Sequence, residues 1–376
     1  MKVATVVGTR PEIIRLSRVI PALDKAFEHT LIHTGQNYDY ELNKVFFDGL
    51  GLRVPDTSLA CALHHTLRAN TALETIGTML DRIDSQLRLF APDAVLILGD
   101  TNSCLAAAYA AKRLHIPLFH MEAGNRCYDD RVPEEINRRM IDHISDINMP
   151  YTAIARENLL REGIVTDRII KTGSPMQEVL THYAQKIEMS DVVQRYELKH
   201  HEYYLVSCHR EENIDVPERL QHFLRILETL AASTGRRILV STHPRLTQKL
   251  GGYEPPRLME FCKPFGFFDY VKLQMCARTV LSDSGTITEE ASLLNLRALN
   301  LRETHERPEG MEEGSVMLTG FSLPRIMAGL KILEKQGLAD NIVPYDYCVP
   351  NVSRKVVRIL LSYVDVVNRN VWRKNV

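Results

Sequence analysis

The sequence predicts an α/β protein of two Rossmann-like domains, each a doubly wound parallel sheet with helices on both faces. Three observations predict it. Short continuous apolar runs alternate with longer amphipathic stretches, the pattern of strands buried on both faces and the helices that cover them. The series restarts midway along 376 residues, a length sufficient for two full cores. Side chains with chemical capability collect just after the apolar runs, where open parallel sheets bind ligands.

In the first half the strand candidates are 2–7, 29–33, 94–98, 116–120 and 146–149, separated by helix-like stretches at 11–27, 69–90, 103–114 and 134–144. Ile169-Ile170-Lys171-Thr172-Gly173 restarts the series as a short strand with a Gly stop. Strands at 203–208, 236–241, 279–282 and 297–301 follow, with helices at 216–233 and 286–294. Residues 1–170 are expected to form the first domain and 171–354 the second. The last helix, about 355–376, is a candidate to pack back onto the first.

A formal net charge of −1 and a pI near 6.9 argue against broad nucleic-acid or membrane binding. The apolar run Val3–Val7 is too short for a signal peptide, and no run reaches the roughly 18 residues that span a bilayer. Seven scattered cysteines without a CxxC read as reduced thiols in a cytoplasmic protein.

Two segments stand out: Gly8-Thr9-Arg10-Pro11-Glu12, and Asp283-Ser284-Gly285-Thr286 with Glu289-Glu290. Each follows a strand and opens a helix, whose unpaired N–H groups suit phosphate. Two such ends suggest one diphosphate ligand held between two domains. Neither is a Walker loop or a GxGxxG fingerprint, so ATP and NAD are poor matches. Arg10 offers a bidentate fork for phosphate oxygens. Arg15 reads as a surface charge unless the ligand site reaches it.

Carboxylates supply the acid–base candidates. Asp100 ends the run Val95–Leu98 after Gly99, as a helix cap or as a proton shuttle. Glu122 ends an apolar strand, where poor solvation raises a carboxyl pKa; it is a general acid or base, or an ion-pair partner of Arg126. Glu134 and Glu135 open a helix, where capping alone accounts for them, yet Glu134 also qualifies as a second catalytic carboxylate. Arg138, one turn on, is placed to orient these acids. His209, beside Arg210, suits a departing diphosphate, and His243 is a second choice. The 14 histidines show no HExxH or other tight metal spacing, so neither a metal nor a nicotinamide cofactor is expected. Glu290 suits ribose hydroxyls, Arg307 phosphate, and Tyr270 either a base or the core.

The blocks GTRPE (8–12), GDTNS (99–103), EAG-R (122–126), PEE-NR (133–138), His209-Arg210, DSG-I-EE (283–290) and ERPE (306–309) occur in an order that resembles the non-hydrolysing UDP-N-acetylglucosamine 2-epimerase family across nearly the whole chain. The resemblance implies a two-domain GT-B fold with UDP in an interdomain cleft. It implies a catalytic set of Asp100, Glu122, Glu134 and His209. It gives nucleotide-contacting positions at Arg10, Arg15, Ser284, Gly285, Thr286, Glu290 and Arg307. Arg15 stands where Lys is usual, and Thr286 where a second Gly is usual.

From Glu122 to Glu135 the chain reads EAGNRCYDDRVPEE, a loop slightly shorter than in the common UDP-GlcNAc branch. With HTGQNYDYELN (33–43) and TGSPMQEV (172–179), it looks like the branch that acts on UDP-2-acetamido-2,6-dideoxy-L-talose to give UDP-N-acetyl-L-fucosamine for capsule or O-antigen synthesis. The expected enzyme inverts carbon 2 by eliminating and re-adding UDP. It is expected to be a cytoplasmic homodimer whose partner is a small-molecule UDP-sugar, not nucleic acid or membrane. A UDP-GlcNAc 2-epimerase, a GT-B glycosyltransferase and a non-catalytic UDP-sugar sensor are the rival readings.

Overall fold

In the computed structural model the described residues are 1–36, 47–61, 71–208, 216–242, 244–337 and 342–375. They form two compact units, Met1–Thr181 with Tyr345–Val376, and His182–Pro344. No described helix is long and apolar enough to cross a membrane.

The first unit contains a six-stranded sheet of β1 (Lys2–Val7), β2 (Glu28–His33), β3 (Thr57–Ser58), β4 (Ala94–Leu98), β5 (Leu118–Met121) and β6 (Ile147–Met149). All pairings are parallel, in the order β3-β2-β1-β4-β5-β6. Strand β4 is buried along its whole length, which explains its unbroken Ala-Val-Leu-Ile-Leu sequence. The helix Asn102–Arg113 packs on it with a face of buried alanines, which lets the backbones approach closely.

The second unit repeats the design with β7 (Tyr203–Ser207), β8 (Arg237–Ser241), β9 (Met259–Cys262), β10 (Thr279–Ser282), β11 (Ala298–Asn300) and β12 (Met317–Leu318). Its order is β12-β11-β10-β7-β8-β9, again all parallel. Counted from β7, both sheets have the order 3-2-1-4-5-6, so the two Rossmann-like sheets of a GT-B protein are present. In each sheet the strand order reverses between the first and fourth strands. That places a topological switch point at β1/β4 in one unit and β7/β10 in the other, and ligands of doubly wound sheets bind outside such points.

Two of the expected elements take a different form. The helix expected over 11–27 is two helices, Arg10–Leu16 and Val19–Ala26. Pro21 lacks an N–H and its ring would meet the carbonyl of Ser17, so one continuous helix is excluded. The strand expected at 169–173 is a single bridge between Asn148 and Ile169, prolonged by hydrogen bonds from Ile170 and Thr172 to Asn148 and Pro150. The helix Val352–Asn370 belongs to the first unit, packs on Val19–Ala26, and buries Val356, Leu360, Val364 and Val367.

Candidate active site

At the first switch point, β1 leads into Gly8 and β4 into Gly99. A Cβ on Gly8 would lie 2.1 Å from the Ser103 hydroxyl oxygen, so only glycine lets this turn meet the start of the helix Asn102–Arg113. Glu12 ties the two turns together. Its Oε2 accepts the Gly8 and Thr9 N–H groups at 2.5 and 2.8 Å, and its Oε1 accepts the Thr101 hydroxyl at 2.6 Å. Burial pushes the Glu12 carboxyl above its usual range, against those hydrogen bonds. Thr9 and Glu12 have the spacing of a capping box, a signal already present in the sequence. Arg10 is half-buried in the first turn of its helix.

Arg15 is not a surface charge. It is 2% exposed, with Nη1 3.3 Å from Glu122 Oε2 and its guanidinium 5.6 Å from the centre of the Tyr151 ring. One helix turn carries it inward, where β5 presents Glu122. Glu122 has a left-handed backbone, φ +66°, and its Oε1 lies 3.4 Å from the Asn125 amide nitrogen. The ion pair suggested with Arg126 is replaced by this one with Arg15. Arg126 instead donates to Asp142 at 2.7 Å and to both oxygens of Glu162.

Asp100 follows β4. Its Oδ2 receives Arg138 Nη2 at 2.6 Å and Nε at 3.1 Å, and its carbonyl receives the Asn137 amide at 3.0 Å. Arg138 also reaches Glu135 at 2.8 Å. The adjacent acids at 134 and 135 have divided fates. Glu134 is half-buried at the helix start. Glu135 is fully buried and holds the preceding loop through the N–H groups of Cys127 and Tyr128. Burial drives its carboxyl up, but those N–H groups and Arg138 prevail and leave it below the usual value.

At the second switch point, β7 ends beside β10. Asp283 is fully buried and accepts the Cys208 thiol at 3.3 Å. The Ser284 and Thr286 hydroxyls share a 3.0 Å hydrogen bond, and Ser284 Oγ also accepts the Thr286 N–H. Gly285 sits against the Glu306-Arg307 segment: a Cβ there would be 2.2 Å from Glu306 Oε1 and 3.1 Å from Arg307 Nη1. Arg307 is 6% exposed, between Glu289 at 3.2 Å and Glu306 at 3.3 Å. Glu290 accepts the buried Gln274 amide at 2.6 Å.

Tyr270 is half-buried against the core between the sheet and its helices. Burial, then the neighbouring Glu290, pushes its phenol above the ordinary value, while the Ser207 and Ser282 side chains oppose this. The fold therefore gathers Arg10, Arg15, Asp100 and Glu122 at the strand ends of the first unit, with Glu134 on the helix whose next turn grips Asp100. It gathers Tyr270, Ser284, Gly285, Thr286, Glu290 and Arg307 in the second. His209, Arg210 and His243, and residues 37–43 of the HTGQNYDYELN block, lie outside the described residues.

A family model for UDP-N-acetylglucosamine 2-epimerase matches residues 21–361. A solved UDP-N-acetylglucosamine 2-epimerase from Rickettsia bellii is 48% identical, superposes with a TM-score of 0.90, and is covered in full by an alignment that also covers all of this chain. The UDP-GlcNAc 2-epimerase of Methanocaldococcus jannaschii, solved in complex with UDP-GlcNAc and UDP, is 33% identical with a TM-score of 0.89, over 96% of this chain and 100% of that one. The UDP-2,3-diacetamido-2,3-dideoxy-D-glucuronate 2-epimerase of Pseudomonas aeruginosa is 31% identical over 331 residues, 87% of this chain and 90% of that one. The chain belongs to the UDP-N-acetylglucosamine 2-epimerase family. It is an isomerase, a UDP-sugar 2-epimerase, of a family that needs no cofactor. Among the described residues no group of three or more His, Cys, Asp or Glu is arranged to hold a metal ion.

Proposed function

We propose that the chain interconverts UDP-2-acetamido-2,6-dideoxy-L-talose and UDP-N-acetyl-L-fucosamine, for capsule or O-antigen synthesis, as a cytoplasmic homodimer. The observation that carries the chemical part is the Arg15–Glu122 pair, a carboxylate at a strand end held beside a buried cation.

Carbon 2 has no neighbouring carbonyl to acidify its hydrogen. When the bond from carbon 1 to the diphosphate oxygen breaks, its electron pair leaves with UDP and carbon 1 becomes electron-poor. The C2–H is then acidic, and a carboxylate removes the proton as the C1–C2 double bond forms. The products are a 2-acetamidoglycal and UDP. Protonation of carbon 2 from the opposite face, with return of the UDP oxygen to carbon 1, inverts the centre. Asp100, Glu122 and Glu134 are the proton-transfer groups in this reading. Arg10, Arg15 and His209 stabilise the departing charge. Ser284, Gly285, Thr286 and Arg307 hold the diphosphate, Glu290 the ribose, and Tyr270 and His243 the remainder of the nucleotide.

The second reading, interconversion of UDP-GlcNAc and UDP-ManNAc, is favoured by the M. jannaschii relative solved with UDP-GlcNAc. The P. aeruginosa relative, at nearly the same identity, acts on a different sugar, so identity at this level does not select the substrate. The short EAGNRCYDDRVPEE loop supports the 6-deoxy sugar. NMR of the purified chain with each nucleotide, without acceptor, tests the proposal. Conversion of the talose nucleotide supports it, and conversion of UDP-GlcNAc alone overturns it.

A further inference from the structure

The two acid-bearing turns of the first unit converge on one carboxylate that touches neither acid. Asp142, on the helix Pro133–Ile144, is fully buried. Its Oδ2 accepts the Gly124 N–H at 3.1 Å and Arg126 Nη1 at 2.7 Å. Its Oδ1 lies 3.0 Å from His120 Nδ1. His120 Nε2 stands 2.9 Å from the Gly99 carbonyl, which only accepts, so Nε2 carries a hydrogen, and a hold on the Asp142 carboxylate needs a second hydrogen on Nδ1. Gly99 immediately precedes Asp100, and Gly124 lies two residues after Glu122.

The turn at Glu122 needs an external hold, whereas glycine adopts a left-handed backbone freely. Gly99, Glu122 and Gly124 all have left-handed backbones, at φ +85°, +66° and +84°. For a residue with a side chain, as at Glu122, that conformation costs about 1–2 kcal/mol and persists only where surrounding contacts impose it. We propose that Asp142 is a positioning residue that fixes Asp100 relative to Glu122, through His120 on one side and Gly124 with Arg126 on the other. The inference rests on the assignment of those two acids to proton transfer.

Asp142→Asn in the full-length chain retains the shape and removes the charge. With UDP-GlcNAc or the 6-deoxy-L-talose nucleotide, whichever is converted, its kcat falls roughly tenfold to a hundredfold, the range a misplacement near 1 Å produces. KM and the affinity for UDP stay within about twofold, because the nucleotide grip is untouched. If Asp142→Asn does not fold, the His120 variants decide. His120→Gln keeps an Nε2–H for the Gly99 carbonyl but gives up the nitrogen that faces Asp142, so it recovers little of the kcat that His120→Ala loses. An unchanged kcat in a folded Asp142→Asn overturns the proposal, as does a His120→Gln with wild-type kcat, which would show the Asp142 contact to be dispensable. Deuterium incorporation at carbon 2 by Glu122→Gln at the normal rate would instead sink the underlying assignment, whatever the Asp142 and His120 variants show.

Discussion

Arg15 and Glu122 come from elements more than a hundred residues apart and meet as an ion pair of 3.3 Å, with Arg15 only 3% exposed at its side chain and Glu122 14%. The guanidinium and the carboxylate meet with little water around them, so charge and packing together fix where the Glu122 carboxylate sits. The strand-end position explains the burial, and the left-handed backbone of Glu122 aims the side chain back at the helix Arg10–Leu16.

Glu122→Gln removes the proton acceptor and keeps the shape. Turnover is expected to fall by about 10²- to 10⁴-fold, the usual range for a lost general base. UDP affinity, read by calorimetry, is expected to stay within a few-fold. Wild-type incorporation of solvent deuterium at carbon 2 would remove Glu122 from proton transfer.

Arg138 holds Asp100 with two nitrogens and the fully buried Glu135 with a third. Arg138→Ala removes one of the two cations on Glu135 and leaves Arg139, 3.0 Å away, as the other, a loss of about 2 kcal/mol in urea unfolding. Arg138→Lys keeps the charge but not the planar fork, so its kcat is expected to drop more than its stability. Equal stability of Arg138→Ala and wild type would refute this account of Glu135.

Gly124 and Gly163 separate backbone strain from steric conflict. Both have left-handed backbones, φ +84° and +86°, but a Cβ on Gly124 would lie 2.2 Å from the Ala155 carbonyl oxygen, whereas Gly163 faces open space. Gly163→Ala is expected to cost about 1 kcal/mol. Gly124→Ala must also displace backbone and is expected to cost at least about twice that, with turnover reduced because the turn carries Glu122. Chemical denaturation of the two variants side by side gives the comparison.

His33, 5% exposed at the end of β2, has its imidazole pushed down to about 4 by burial. The unfolded chain therefore binds a proton that the folded one refuses between about pH 6.5 and 4. The sign follows: this contribution is present above pH 6.5 and is lost as pH falls through that window, by roughly 3 kcal/mol in all at 1.36 kcal/mol per pH unit. His33→Gln should lose less stability than wild type between pH 7 and 5. Equal losses would exclude His33 as a source of acid sensitivity.

The sheets were legible because apolar runs such as Val95–Leu98 and Leu118–Met121 are unbroken and each ends on an unusual residue. Asp100 and Glu122 stand out in the sequence by that position, and both lie at strand ends of the first sheet. The partners were not, because ion pairs link distant segments: Arg126 reaches Asp142 and Glu162, 16 and 36 positions on, and no local spacing announces either. Arg15 misled for the same reason, since a helix of seven residues has too little periodicity to show its buried face. Strands β3 and β12, two residues each, are too short for any pattern to register. Asp142 looks in sequence like one more helix carboxylate; only its burial among His120, Gly124 and Arg126 marks it out.

The helix Val352–Asn370 completes the first unit after the entire second unit has been spelled out. On the ribosome, the downstream half can collapse around its own sheet while the upstream half still shows water the groove on Val19–Ala26 that this helix fills. The first unit therefore stays incomplete until Val352–Asn370 has been made, however much of the second has already formed.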